Sequence, residues 1–512
     1  MSASKSGSLE TTTPMSFKGN YFDGEFHIAH SSDESWSIKS PANLKDTVIE
    51  IKSSYQHIAQ ACEAAKKAFD SWSELPLDAR KEYLLKLKKV FQERAEDIAK
   101  VISRETGKPF WEAKTEAAAL VNKIDITLEH SLKRVAEEKI SAALPGVDGF
   151  IRYKARGVMA VVGPFNFPAH LPNGHIIPAL IMGNTIVFKP SDKTPAVGQL
   201  YAELVHQAGL PAGVFNLVQG QGEIGRRLVQ NEHIDGILFT GSYEVGLKIK
   251  QDTLDHYWKI LALEMGGKNS TVVWDDADLE KAVYETIIGA YMTSGQRCSC
   301  TSKVILHKKI RDRFIENFHE TAKKLTVGHW KDNPFMGPLI GKDSVDKYLR
   351  FQDIAKREGS ESLMRGKILD VGYEGYYVTP SINIVEKFNR ESVYQKNEIF
   401  GPNVAVYTVN EFDEALEVVN AAGYGLSMAV FTKNRSHYER ALRRARVGLL
   451  NFNRTTNGAS SRLPFGGMGK SGNDRPSGHF AIDYCGIPVG SLEDNGGFDR
   501  TKMLTGITYD FK

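Results

Sequence analysis

The stretch Tyr291–Cys300, YMTSGQRCSC, holds two of only four cysteines in a chain of 512 residues. It follows an apolar run and reads as a short polar loop. Three kinds of chemistry fit such a loop. A metal site would need further ligands at close spacing, in a C-x-x-C style, and none stand nearby. A C-x-C redox pair is a second reading. The third is one nucleophile with one bystander, for a thiolate is a strong nucleophile when a positive neighbour or helix end makes it available. Arg297 directly precedes Cys298. Two buried structural cysteines fit this loop alone equally well.

Two other stretches bear on the choice. LALEMGGKN (261–269) sets Glu264 at the end of an apolar run, before a Gly-Gly pair. A carboxylate in apolar surroundings has a raised pKa and suits a general base. GPFNFPAHLPNGH (163–175) sets Asn166 between two aromatic residues in a proline-rich loop. An amide fixed there can donate to a developing oxyanion.

The elements that must position these residues follow from periodicity. Residues 55–72 place Ile58, Cys62, Ala65, Phe69 and Trp72 on one helical face, so Cys62 is a core residue. A second helix is expected over 79–103 and a third over 110–135. FKGNYFDGEFHIAH (17–30) predicts a hairpin turning at Asp23-Gly24. MAVVG (159–163), TIVFKP (185–190), FNLV (215–218) and GILFTG (236–241) are short β-rich runs separated by helical stretches at 195–208 and 223–231. This alternation predicts a parallel, doubly wound sheet. A second set from 278 to about 452 includes KVILH (303–307), VAVYTV (404–409) and MAVFT (428–432).

Glycine loops mark candidate phosphate sites. GQGEIG (220–225) matches G-x-G-x-x-G after a strand and before a helix, a weak signal alone. FTGSYEVG (239–246) lacks the pattern yet also joins a strand to a helix, and a helix N-terminus suits a pyrophosphate. GGMGKSG (466–472) imitates a Walker A loop but fails, because the required first glycine is Pro464. An ATPase is rejected. Lys189 and Asp192, at the end of TIVFKP, are placed for ribose hydroxyls, or for a solvated turn.

Taken together and in order, ETGKP (105–109), GPFNFP (163–168), GNTIVFKPS (183–191), GLPAGVFNLV (209–218), FTGS (239–242), LEMGGKN (263–269), GQRC (295–298), EIFGP (398–402) and PFGGMGKSG (464–472) resemble the NAD(P)-dependent aldehyde dehydrogenase superfamily, from about Tyr21 to Leu492. The resemblance implies an α/β, aldehyde dehydrogenase-like fold. Its parts would be a Rossmann-type NAD-binding domain (17–136 and 155–263), an α/β catalytic domain (264–452) and a small β oligomerisation arm (137–154 and 481–505). Residues 453–480 would form a loop segment near substrate and cofactor, and 1–16 a disordered tail.

By the same resemblance Cys298 is the nucleophile and Cys300 the bystander. Asn166 and the Cys298 backbone N–H form the oxyanion hole, and Glu264 activates water. Attack on the aldehyde gives a thiohemiacetal; oxidation by NAD leaves a thioester that is hydrolysed to the acid. Gly241, Ser242 and Gly246 lie at the pyrophosphate, Gly222 near the adenine, and Lys189, Ser191 and Asp192 at the adenosine ribose. Glu398 binds the nicotinamide ribose and Phe400 packs near its ring. The family usually has Glu where Asp192 stands; either carboxylate favours NAD over NADP.

FPAHLPNGH (167–175), GQRCSC and SGNDRPSGHFAIDYC (471–485) resemble the branch that oxidises succinylglutamate semialdehyde in arginine degradation. Such a substrate is anionic, and Arg297 and Arg475, with His170, Asn173 and Phe465, are the candidates for its recognition. Lys268 departs from the branch, which usually has Asn there. The alternatives are a dehydrogenase for glutamate or succinate semialdehyde, or a non-catalytic binding protein.

Composition restricts the remaining classes. The formal charge of +3 gives no reason for a nucleic-acid partner. No apolar run reaches the roughly 18 residues that span a bilayer, and the N-terminus lacks a secretory core. Four scattered cysteines are no disulfide framework. A cytoplasmic enzyme without a metal is expected. An arm strand with an open edge implies a homodimer or a dimer of dimers.

Overall fold

The computed structural model describes residues 13–473 and 477–511. Two seven-stranded sheets dominate it. In the first, five parallel strands lie in the order Ile260–Glu264, Ile234–Thr240, Val158–Val162, Thr185–Lys189 and Phe215–Leu217. Their residues are mostly buried on both faces, as continuous Val/Ile/Leu runs demand when helices cover both sides. The hairpin Asn20–Phe22 and Glu25–His27 extends the sheet antiparallel. Its turn residues Asp23 and Gly24 both have positive φ, the conformation a two-residue hairpin needs.

The second sheet runs Glu361–Met364, Ser381–Val385, Asn403–Val409, Thr301–His307, Asn269–Val273, Ser427–Phe431 and Leu449–Phe452. All its pairings are parallel except that of Glu361–Met364 with its neighbour. A third, three-stranded antiparallel sheet joins Glu138–Leu144, Val147–Ala155 and Gly486–Glu493, with its outer strand Glu138–Leu144 exposed along its length.

The structure differs from the sequence reading in four places. The helix expected over 79–103 is two helices, Leu77–Glu93 and Ala95–Thr106, divided where Arg94 leaves helical geometry. There the Arg94 side chain bonds Asp97 and Gln207. The helix expected over 110–135 ends at Glu129 and continues as a 3₁₀ turn, Ser131–Val135. Residues 13–16 are tied to the fold: Met15 N donates to Val48 O, while residues 1–12 lie outside the described ones. Residues 479–485 form a 3₁₀ turn that buries Ala481, Ile482, Tyr484 and Cys485 in the first core, so the arm strand starts at Gly486. Two paired strands, Glu34–Ser40 and Asn43–Ser53, carried no clear signal in the sequence. No helix among the described residues is long and apolar enough to cross a membrane.

Candidate active site

The carboxyl ends of the first sheet's strands open on a cavity of about 770 Å³, the usual ligand position in such sheets. Cys298, Asn166, Lys189, Ser191, Asp192, Gly222, Gly241, Ser242, Glu398 and Phe400 all line it. Glu264 closes its strand beside this space, 1 % exposed, with Met265 on the cavity wall. Gly246 does not reach the wall; it lets the helix Tyr243–Asp252 pack on Met265.

One helix braces both the Asn166 loop and the Cys298 loop. Phe110–Glu129 carries Glu112 and Glu116 one turn apart, hence on the same face. Glu116 pairs with Lys108 at 2.6 Å, both side chains buried, and accepts from Ala169 N and His170 N. Lys108 Nζ also donates to Asn166 O at 2.8 Å and lies over the Phe167 ring. The Asn166 loop is thus held at both its carbonyl and its amides. Asn166 Nδ2 donates to Gln296 O at 2.9 Å, and the amide's second N–H remains to serve a ligand.

Glu112 reaches the thiol loop. It accepts from Thr293 Oγ1 and from Arg297 at 2.8 Å. Thr293 and Ser294 both adopt positive φ, 56° and 54°, a conformation rare for residues other than glycine and Asn. Ser294 Oγ donates to Gly337 O, and the Gln296 side chain bonds Ile340 N. Beneath the thiol, Asn269 Nδ2 donates to the carbonyls of both Cys298 and Cys300.

Electrostatics correct one expectation. Arg297 draws the Cys298 thiol down, yet burial, then Glu264 and Glu398, push it well above the usual thiol range. Arg297 is spent on Glu112 and Thr293 and stacks on Phe167, so it is no free cation for a substrate. Burial also pushes Cys300 up to about 11, and Cys62 in the core to about 12. Glu398 accepts from Gly267 N at 2.7 Å, and burial pushes it up to about 7.

Of the other substrate candidates, Asn173, His170 and Phe465 stand off the cavity wall. Asn173 is fully buried, accepting from Tyr201 Oη and donating to Leu120 O. Both ends of its amide are used in helix packing, which removes it as a substrate contact. His170 sits beside Phe167, and burial pushes its ring down to about 4. Phe465 pairs with Ser477 in a short antiparallel ladder. Arg475 lies outside the described residues.

The cofactor end fits a dinucleotide. Ser242 caps the helix Tyr243–Asp252 by accepting from Val245 N at 3.2 Å, which leaves its hydroxyl proton to donate. The same helix start offers amide N–H groups and partial positive charge to a pyrophosphate. Lys189 Nζ, buried, bonds Pro190 O and keeps further protons for hydroxyls.

Sequence reasoning missed the braces Glu112 and Glu116, and Lys108 within ETGKP went without a role. It also read residues 453–480 as a loop segment, of which 471–473 are paired with a strand. Those three residues lie along the edge of Ile260–Glu264: Met265 N donates to Ser471 O and Asn473 N to Leu263 O, and the Asn473 side chain bonds both Leu263 N and Leu261 O. Gly472, at φ 133°, lies so close to Leu263 O that any side chain there would collide.

The aldehyde dehydrogenase family model matches residues 27–486. The chain is 39 % identical over 482 residues to the N-succinylglutamate 5-semialdehyde dehydrogenase of Acinetobacter baylyi, covering 94 % of this chain and 97 % of that one. It is 40 % identical to the protein of the same name from Escherichia coli, over 86 % of this chain and 88 % of the other. The solved structure of 1-pyrroline-5-carboxylate dehydrogenase from Thermus with bound NAD superposes with a TM-score of 0.87 at 31 % identity, covering 94 % and 93 % of the two chains. With these likenesses spanning nearly its whole length, the chain belongs to the aldehyde dehydrogenase family.

Proposed function

We propose that this chain oxidises N-succinylglutamate 5-semialdehyde to N-succinylglutamate with NAD, a step of arginine degradation. The observation that carries the chemistry is the single cavity running from Cys298 and Asn166 to the helix start at Ser242. The substrate name is supported by the two relatives at about 40 % identity. A homodimer or dimer of dimers, joined through the strands around 147–155 and 486–493, and a cytoplasmic location complete the reading.

In this reading Glu264 takes the proton of the Cys298 thiol as Sγ bonds the aldehyde carbon. The burial that keeps the thiol protonated makes a neighbouring base necessary. The negative oxygen of the adduct accepts from the second Asn166 Nδ2 proton and from Cys298 N. When bound, NAD supplies the two-electron acceptor that turns the thiohemiacetal into a thioester. Lys189 and Asp192 hold the adenosine ribose, Ser242 and the amides after Gly241 the pyrophosphate, and Glu398 the second ribose. Asp192 repels a 2′-phosphate and so favours NAD over NADP. Once Glu264 has released that first proton to solvent, it removes a proton from water, whose oxygen bonds the thioester carbon as the C–S bond breaks and its electron pair returns to Sγ.

The test is NADH formation from N-succinylglutamate 5-semialdehyde by the unmodified protein and by Cys298→Ala. Loss of at least about 10,000-fold is expected in the variant, since nothing else attacks the carbonyl. Comparable rates in the two proteins would overturn the assignment of the nucleophile.

A further inference from the structure

The strand pair Glu34–Ser40 and Asn43–Ser53 has no part in the mechanism above, yet it is bonded to two segments of the cavity wall. Side chains along a strand alternate, so Glu34 and Trp36 project from one face. Trp36 Nε1 donates to Asp192 O at 3.0 Å. The Glu34 carboxylate accepts from Gln221 N at 2.7 Å. Ser53, the register partner of Glu34, donates its hydroxyl to Gln219 O. Asp192 and Gln221 both line the cavity. One ribbon therefore fixes the turn that carries the Asp192 carboxylate and the loop GQGEIG (220–225).

GQGEIG has the form of a phosphate loop, but an anion of the protein already stands at it. Gln221 is the N-cap of the helix Gly222–Gln230, whose first helical bond runs from Gly225 N to Gln221 O. The amides before Gly225 have no partner within the helix, and such a helix start favours negative charge. Glu34 supplies that charge at the cap. It also acts on Lys189, as Asp192 does. Packing agrees, for a Cβ at Gly225 would lie 3.4 Å from Lys189 Cε, so Lys189 rests on the helix that Glu34 caps. Two carboxylates thus share one lysine. A 2′-hydroxyl bonds to such a group of charges, whereas a 2′-phosphate is repelled by both acids. The remaining charged groups near Glu34 balance one another or are bonded elsewhere. Arg227 is bonded to Glu223, and Asp33 accepts from Ser54 Oγ and Tyr55 N.

We propose that Glu34 is a second specificity-determining carboxylate of the adenosine-ribose end, adding its charge to that of Asp192 against a 2′-phosphate, with Trp36 as the positioning residue that holds Asp192. This rests on the reading of the cavity as an NAD site with Lys189 and Asp192 at the adenosine ribose. Glu34 itself stands behind the wall and touches the site through the Gln221 amide, so it acts by charge over a distance. Such an effect weakens when salt screens it. Trp36 acts by geometry, because its bond goes to the Asp192 carbonyl and leaves the carboxylate for the ribose.

The experiment measures binding of NAD and of NADP by calorimetry, in the unmodified full-length protein and in Glu34→Gln and Trp36→Phe, at low ionic strength and in about 0.5 M salt. Glu34→Gln keeps an oxygen to accept from Gln221 N and removes only the charge, so it serves where Trp36→Phe fails to fold. At low ionic strength it is expected to raise NADP affinity by about 5-fold and to change NAD affinity by less than about 2-fold. In high salt the variant and the unmodified protein should differ by less than about 2-fold for NADP. Trp36→Phe keeps an aromatic ring and loses the indole N–H. It should raise KM for NAD by about 5-fold with kcat unchanged. No change in NADP affinity in Glu34→Gln at low ionic strength, or an equal change for both cofactors, overturns the role of Glu34. A fall in kcat without a rise in KM overturns that of Trp36. An unmodified protein that binds no NAD, or binds NADP more tightly, overturns the reading beneath the proposal and the proposal with it.

Discussion

The two loops that meet at the cavity are anchored to the same helix in opposite ways. Glu116 fixes the Asn166 loop through a closed buried ion pair and two backbone amides, with the chain in ordinary conformations. Glu112 fixes the thiol loop through side chains, and that loop carries Thr293 and Ser294 in the left-handed region. Each such residue costs roughly 1–2 kcal/mol. The Asn166 loop is therefore stiff by construction, whereas the thiol loop is held against its own preference. In the proposed mechanism a donor must meet an oxygen at a fixed point, and a nucleophile must be presented at a sharp turn. The difference follows from those two tasks.

The comparison can be broken most forcefully at the donor. Asn166→Ala removes one oxyanion donor and should lower kcat by about 100- to 1,000-fold with little change in stability. If kcat falls less than about 10-fold, Asn166 is only a packing residue. Next comes its brace. Lys108→Met leaves the Glu116 carboxylate buried with backbone donors alone, and should cost about 3–5 kcal/mol in urea unfolding. Glu112→Gln, which retains an acceptor for Thr293, should cost about 1 kcal/mol. Equal losses from the two would mean that both loops are anchored alike.

The thiol itself offers a gentler test. Its pKa is raised by burial, Glu264 and Glu398, so the reactive thiolate is scarce at neutral pH in the free protein. Alkylation of Cys298 should therefore keep accelerating as pH rises beyond the usual thiol range. A plateau below neutral pH would show that Arg297 prevails after all.

How far the sequence disclosed this arrangement depends on the kind of signal. Cys298, Glu264 and Asn166 each sit in a short run of unusual composition, and the β-rich runs that carry the first sheet are uninterrupted. Glu112 and Glu116 were invisible because two acids one turn apart on a helix look the same whether they face water or a buried lysine. The left-handed turn at Thr293 was hidden for a similar reason. Its residue types disfavour that geometry, and only tertiary hydrogen bonds hold it. Arg297 stood beside the thiol in sequence, which suggested activation, but its charge is taken by a glutamate 185 positions away. Gly472 was read as part of a decoy phosphate loop because nothing in its own segment announces the strand it lies against.

The most direct test of the account compares NADH formation from N-succinylglutamate 5-semialdehyde and from unsuccinylated glutamate semialdehyde, with NAD and NADP each supplied. The account predicts a strong preference for the succinylated aldehyde with NAD. Equal or reversed preference between the aldehydes would contradict the proposed substrate, and preference for NADP would contradict the role given to Asp192.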